Sequence, residues 1–361
     1  MRKKALVIGD IAKELNVSIT SVSFILNGKA KEKRISADLA ERVLKYAKKV
    51  NYSPNHLAKS LRTGKTNLIG LIVEDISNPF FANVARLIEE AASLRGFRII
   101  YCSSDNDTSK TSELIRVFLE RQVDAYIITP SAGTEEDINF LLKKKCHVVL
   151  FDRYFPNVNT NYVIVDNAGS TYNAINHFIE QGYKNIAFVT LASGQTQMQE
   201  RYNGYARAIK ESKLKLYTKK IPYHENSKNY IEEIEAFLIR EVEIDAIFFA
   251  TNYLGISGLE AINKLKRKIP SEIGVITFDD HDLFRLHSPS ITAVAQPIQE
   301  MSVQLINILL NNVDAKSIPV EEKKVVLPAP LIIRESSLLN HKQVGRQRKS
   351  GKQISLHKTE M

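Results

Sequence analysis

Residues 16–28 read NVSITSVSFILNG, and the fold of the N-terminal module turns on them. The β-branched and hydroxyl residues here are mediocre helix formers, because they lose rotamer freedom or compete for the backbone. Val17, Val22, Ile25 and Leu26 nevertheless lack the strict alternation of a strand. Ser18 fits an N-cap and Asn27-Gly28 a stop, so a helix is expected over 18–26. Upstream, GDIAKEL (9–15) reads as a first helix, and only Asn16-Val17 separates the two. That is the spacing of a helix-turn-helix. A third helix is expected over 36–49, with Ser36 as its cap and Leu39, Val43, Leu44 and Ala47 on one face.

The net charge of +10 is local. Residues 1–65 carry 15 Lys and Arg against 5 Asp and Glu, whereas 66–361 balance. Within the balanced part, the tail 340–361 has six basic residues and one acidic, which leaves 66–339 at net −5. A basic module on an acidic body is the electrostatic outline of a nucleic-acid binder with a separate second function. No apolar run reaches the length of roughly 18 residues that a membrane span needs. The basic start Met1-Arg2-Lys3-Lys4 precedes an apolar stretch, Ala5 to Ile8, too short for a signal peptide. Cys102 and Cys146 imply no disulfide framework and fit a reducing cytoplasm. A cytoplasmic protein with no membrane partner is expected.

Beyond the helices, NYSPNHLAKSLRTGKT (51–66) reads as a linker with a short helix from Asn55 to Arg62. The texture then changes. Apolar runs LIGLIV (68–73), FRIIYC (97–102), AYIIT (125–129) and HVVLF (147–151) alternate with helix-length amphipathic stretches. After VIV (163–165) the rhythm repeats in NIAFVT (185–190), AIFFA (246–250) and GVITF (274–278). Continuous apolar strands separated by helices imply parallel strands covered on both faces. Two doubly wound α/β subdomains are expected, with crossings near 160 and 291. The expected domains are 1–53, a hinge at 54–66, a two-lobed body over 67–339 and a basic, disordered tail at 340–361. Lobe 1 is placed at about 67–161 and 292–323, lobe 2 at about 162–291 and 324–339. Polar pairs follow the strands, among them Glu74-Asp75, Asp152-Arg153 and Asp279-Asp280, where ligands sit in such folds.

Residues 8–336 resemble the lac/gal repressor (LacI/GalR) family of transcriptional regulators. The resemblance is carried by DIAKELNVSITSVSFILNG (10–28), NYSPNHLAKSLRTGKTNLIGLIVEDISNPFFA (51–82), VDN (165–167), QGYKNIAFVT (181–190) and FDD (278–280). It implies an all-α helix-turn-helix domain joined to a periplasmic-binding-protein-like α/β body. It also implies a homodimer on palindromic operator DNA, with affinity set by a small effector. By resemblance Ile19, Thr20 and Phe24 face the bases. The hydroxyls of Ser18, Thr20, Ser21 and Ser23, with Asn27 beside them, suit phosphate contacts. Many relatives carry arginine where Phe24 stands. A phenylalanine packs instead on a thymine methyl, or belongs to the three-helix core. Leu61 matches the residue that relatives wedge into the minor groove. Leu57 packs hinge on hinge, and Asn55, His56, Lys59 and Arg62 flank the groove.

For the effector, Asn78, Phe80, Phe81, Asp152, Arg153, Arg201, Asn252, Asp279 and Gln296 match the pocket of ribose-type binding proteins. Carboxylates accept, guanidiniums donate in a fixed fork and amides do both. The two phenylalanines are expected to sandwich a sugar ring. Seven of these residues also have a plainer reading. Phe80 and Phe81 fit a core, Asp152-Arg153 an interlobe salt bridge, Asn252 and Asp279 caps, and Arg201 a solvent-facing helix start. A neutral monosaccharide is expected over a sugar phosphate or nucleobase, because only Arg153 and Arg201 would meet a phosphate. No phosphate loop, HExxH, GxSxG or Cys/His metal spacing appears, so neither an enzyme nor a cofactor is expected. The alternative class, a sugar-transport component, is disfavoured by the N-terminal helix-turn-helix.

Overall fold

Caps fix the three helices of the N-terminal unit. In α1 (Ile8–Glu14) the Asp10 carboxylate accepts from Val7 N–H at 2.9 Å. α2 (Ile19–Leu26) starts at Ser18, whose Oγ accepts from Ser21 N–H at 3.0 Å. α3 (Ala37–Lys49) starts at Ser36, whose Oγ accepts from Leu39 N–H at 3.4 Å. Each cap satisfies a donor that a helix start leaves orphaned. Ile11, Val22, Ile25, Val43 and Ala47 close the small core. Leu44, expected on that face, is instead 51% exposed. One residue beyond Val43 turns a helix by roughly 100°, which carries Leu44 outward.

The computed structural model describes residues 6–52, 64–223, 227–314 and 322–339, in two compact units that divide between Asn67 and Leu68. The hinge residues Asn55, His56, Leu57, Lys59, Leu61 and Arg62, like the tail 340–361, lie outside the described residues.

In the second unit, the first lobe contains β1 (Leu68–Val73), α4 (Pro79–Leu94), β2 (Arg98–Ser103), α5 (Thr108–Glu120), β3 (Ala125–Ile128), α6 (Glu135–Lys143), β4 (His147–Phe151) and β5 (Asn161–Val165). The second lobe contains α7 (Asn167–Gln181), β6 (Ile186–Leu191), α8 (Thr196–Glu211), β7 (Tyr217–Ile221), α9 (Ser227–Arg240) and β8 (Ala246–Phe249). It continues through α10 (Asn252–Lys264), β9 (Gly274–Phe278), α11 (Asp282–Leu286) and β10 (Thr292–Val294). The chain then returns through α12 (Ile298–Asp314), β11 (Lys324–Leu327) and β12 (Leu331–Ile332). The two sheets run β11-β5-β4-β3-β1-β2 and β12-β10-β9-β8-β6-β7. Every pairing is parallel except β10 with β12.

The ladders move the expected lobe boundaries. β5 pairs with β4 and β11 in the first sheet, as in Val149 with Asn161 and Val165 with Leu327. The first crossing therefore follows Val165 rather than residue 160. β10 pairs with β9, so 292–294 belongs to the second lobe, and 324–327 returns to the first. A third crossing lies between Leu327 and Leu331. Backbone pairing decides a strand's sheet, and a run such as VIV shows its apolarity but not its partner.

α7 and α8 pack closely at Gly204, where a Cβ would overlap the Ala168 carbonyl. A backbone carbonyl cannot move aside as a side-chain tip can, so Gly204→Ala should destabilise the protein by about 1–3 kcal/mol, the usual cost of overpacking. Chemical denaturation of the full chain checks this, and an unchanged midpoint would show that the contact is not tight.

Candidate functional site

In the first unit, α2 presents Ser18, Ile19 and Thr20 to solvent, with Ile19 at 56% exposure, while Val22 and Ile25 face the core. An apolar residue left this exposed at a helix start, beside hydroxyls, makes a surface fit to approach bases and phosphates. Ser18 and Ser21 share a hydroxyl contact of 2.9 Å, and Asn27 donates through Nδ2 to the Ser23 carbonyl at 2.7 Å. Phe24 is half-buried and stands outside the core cluster. Lys33 Nζ lies 5.5 Å from its ring centroid, a cation–π contact that steadies the ring beside a basic group.

In the second unit, the polar pairs converge where the strands of both lobes end. Arg153 is 2% exposed and sits among carboxylates. Its Nη2 donates to Glu74 at 2.5 Å, its Nε to Asp152 at 3.1 Å and its Nη1 to the Asn106 side chain at 2.8 Å. Burial by itself would lower the Arg153 pKa, but Glu74 and Asp152 outweigh it and raise it. All of these ion-pair partners belong to the first lobe, so Asp152-Arg153 is not an interlobe salt bridge.

Arg201, also 2% exposed, is not at a solvent-facing helix start. Its Nε donates to Asn167 at 2.8 Å and its Nη1 to the Ala250 carbonyl at 2.6 Å, with the guanidinium 3.5 Å over the Phe278 ring. Burial lowers its pKa despite the nearby Asp279. Burial likewise raises Asp279, although Arg201 and a 2.6 Å hydrogen bond from Gln296 oppose the shift. Gln296 thus stands beside Asp279 and lines a neighbouring cavity instead of the cleft itself.

Asp152 and Asp279 both adopt φ 68°. The left-handed region costs a residue with a Cβ, though Asp tolerates it better than most. Each lobe therefore spends the same backbone device to turn a carboxylate inward just after a strand. Across the cleft, Asn252 donates through Nδ2 to Asn78 Oδ1 at 3.1 Å, and Asn78 caps α4 by accepting from Phe80 N–H at 3.0 Å. Thr251, not Asn252, caps α10.

The expected aromatic sandwich is absent from the described residues. Phe81 is 4% exposed within the core, and Phe80 meets it edge-on at 5.0 Å while stacking on Phe151 at 5.8 Å. Neighbours on one helix touch each other and leave no slot for a ring between them. Both still border the cleft, together with Glu74, Gln195, Gln197 and Tyr253. The space between them is only about 30 Å³, room for one or two waters and too small for a sugar ring.

Comparison with known proteins agrees with this two-part plan. Residues 7–55 match the description "Bacterial regulatory proteins, lacI family", and 175–337 match a periplasmic binding protein-like domain. The HTH-type transcriptional regulator RegA of Clostridium saccharobutylicum is 30% identical over 337 residues, covering 92% of this chain and 99% of that protein. The chain belongs to the LacI family. It is a DNA-binding transcriptional regulator, a class that does not comprise enzymes. The ribose operon repressor of Halalkalibacterium halodurans is 29% identical over 330 residues, covering 91% of this chain and 96% of the relative. A crystal structure of a periplasmic binding protein/LacI transcriptional regulator from Alkaliphilus metalliredigens QYMF, complexed with D-xylulofuranose, superposes with a TM-score of 0.68. It is 25% identical and covers 76% of this chain and all of its own.

In this LacI-family regulator the lobes also meet through groups that the sequence did not single out. Asn106 accepts from both Arg153 and Gln195 Nε2, the latter at 3.0 Å, and so ties one lobe to the other. Thr196 exchanges 3.3 Å hydrogen bonds with the Tyr154 backbone. Glu200 accepts from the Tyr154 hydroxyl at 3.4 Å and from Asn167 Nδ2 at 3.3 Å, at the first crossing. Only Glu74 among the cleft groups carried a signal, its place directly after a strand. Asn106, Gln195 and Glu200 sit in polar stretches that look alike until folded.

Burial raises the Glu200 pKa above its ordinary 4.5, against the two hydrogen bonds that stabilise the carboxylate. The folded state then holds its proton more tightly than the unfolded one. This contribution is full below pH 4.5 and is lost as the pH rises through the folded value. Glu200→Gln should therefore be at least as stable as the parent at neutral pH, with any gain vanishing below pH 4.5. Denaturation curves of both proteins on either side of that pH would show the crossover. A variant less stable than the parent at neutral pH alone would contradict it.

Proposed function

We propose that this regulator works in the cytoplasm as a homodimeric repressor whose affinity for a palindromic operator is set by a sugar bound between the two lobes of the second unit. One observation carries the sugar: two buried guanidiniums and three carboxylates, Arg153, Arg201, Glu74, Asp152 and Asp279, converge at the strand ends of both lobes. Fixed donors and acceptors of this kind recognise a ring of hydroxyls, whereas an apolar effector would offer this charged lining no hydrogen bonds. Asn78, Asn252, Phe80 and Phe81 complete the proposed site from its walls, and Gln296 acts from behind by holding the Asp279 carboxylate. The named relatives, a repressor of a ribose operon and a regulator complexed with a pentulose, agree with it.

On the DNA side, Ile19, Thr20 and Phe24 read bases in each half-site, while Ser18, Ser21, Ser23 and Asn27 hold phosphates. A single short recognition helix reads only a few bases, and pairing two of them by symmetry supplies a full site. In the hinge, Leu61 wedges the minor groove, Leu57 packs hinge on hinge, and Asn55, His56, Lys59 and Arg62 flank the groove. A sugar prefers one arrangement of the lobes, and that difference in affinity shifts the operator equilibrium.

Two variants test the halves separately. Arg201→Ala should keep operator affinity in a gel shift yet lose the response to the sugar that shifts the parent. An unaltered response would remove Arg201 from the site. Phe24→Arg should move preference towards G·C at one position of each half-site by about tenfold or more, the scale of one bidentate contact to guanine. A selection from randomised duplexes reads this directly, and an unchanged consensus would return Phe24 to a packing role.

A further inference from the structure

Next to the closed cleft lies a second chamber of about 320 Å³. The end of β1 and the start of α4 form one side of it, and α10 and the residues after β7 form the other. Tyr223, Tyr230 and Tyr253 supply its aromatic wall, and Glu74 and Asp75 its charge. It shares Glu74, Asn78 and Tyr253 with the cleft, so one ligand can span both.

The charges do not balance. Among the described residues, four carboxylates stand around cleft and chamber, those of Glu74, Asp75, Asp152 and Asp279, against the guanidiniums of Arg153 and Arg201, and Asp75 also accepts from the Ser77 N–H and hydroxyl. Among the described residues, no lysine or arginine lines the chamber. His281 also lines the chamber, with its Nδ1 accepting from Leu283 N–H at 2.9 Å. The Glu74 side chain is 9% exposed. Arg153 donates to its Oε2. The Tyr223 hydroxyl responds to the same field: burial first, then Glu74 and Asp75, push its pKa up to about 12.

We propose that the effector carries a protonated amino group, held in this chamber by Glu74 and Asp75 against the faces of the tyrosines, so that the ligand is an amino sugar. The inference rests on the sugar reading above and departs from the neutral monosaccharide expected from the sequence. An ammonium has three donors and no acceptor, which suits a wall of carboxylate oxygens and aromatic faces. A neutral hydroxyl would fill the space but leave the excess negative charge uncompensated in a partly desolvated site. A phosphate would meet carboxylates and no cation there.

The test uses the full-length protein, with thermal shift and calorimetry on D-glucosamine, D-galactosamine and D-mannosamine. Each is paired with its parent hexose and with its N-acetyl derivative, which keeps the nitrogen but removes its charge. At least one amino sugar should bind about tenfold more tightly than both its partners and shift operator affinity. Asp75→Asn should bring that ratio towards one. The N-acetyl comparison on the parent protein stands by itself if this variant does not fold. Failure of all three amino sugars to bind, or binding no tighter than the parent hexoses, overturns the amino group. In that case, binding by a neutral sugar preserves the sugar reading. Operator binding that ignores every sugar overturns both.

Discussion

Two arginines buried to 2% exposure need partners, and much of the body is arranged to supply them. Taking a guanidinium out of water costs several kcal/mol, which is recovered only where carboxylates and carbonyls meet its fork in good geometry. For Arg153 those partners come from the ends of three segments: Glu74 after β1, Asn106 after β2 and Asp152 after β4. The parallel sheet makes this possible, because every strand of one direction ends on the same edge. Asp152 adopts a left-handed backbone to complete the cluster, and Asp279 does the same in the other lobe.

Arg201 solves the same problem differently. It lies over Phe278 and binds the Ala250 carbonyl and Asn167, with Asp279 close enough to oppose the burial shift. Its position depends on α8 seating against α7, and Gly204, three residues along the same helix, allows that contact. Asn167 is also the first residue of α7 after the chain leaves the first lobe, and it donates to Glu200. The groups that hold Arg201 therefore adjoin the first crossing between the lobes.

The N-terminal unit obeys another constraint. α2 has a well-filled inner face in Val22 and Ile25 but leaves Ile19 exposed, which costs solubility unless something covers it. Weak helix formers are tolerated there because the cap of Ser18 and the packing of Val22 and Ile25 hold the helix. Small hydroxyls let the backbone come near a duplex. Phe24, braced by Lys33, stands half-buried on the same helix and outside the core cluster.

Much of this was legible beforehand. The helix-turn-helix followed from Ser18, Asn16-Val17 and the spacing of apolar residues, which act through local hydrogen bonds and one helix face. The alternation of apolar runs with helices announced a doubly wound body, because strands covered on both faces must be apolar throughout. The sequence also put Asp152, Arg153 and Asp279 just after strands, whereas Arg201, expected at a helix start, lies in the second turn of α8. Only the tertiary structure decided which sheet received β5, β10 and β11, since pairing is a long-range choice that a short apolar run does not encode. It also decided that Phe80 and Phe81 touch each other, that Glu74 holds Arg153 across 79 residues, and that Asn106 and Gln195 join the lobes. Local chemistry is written in neighbouring residues. The company that a buried charge keeps depends on how strands distant in sequence end side by side.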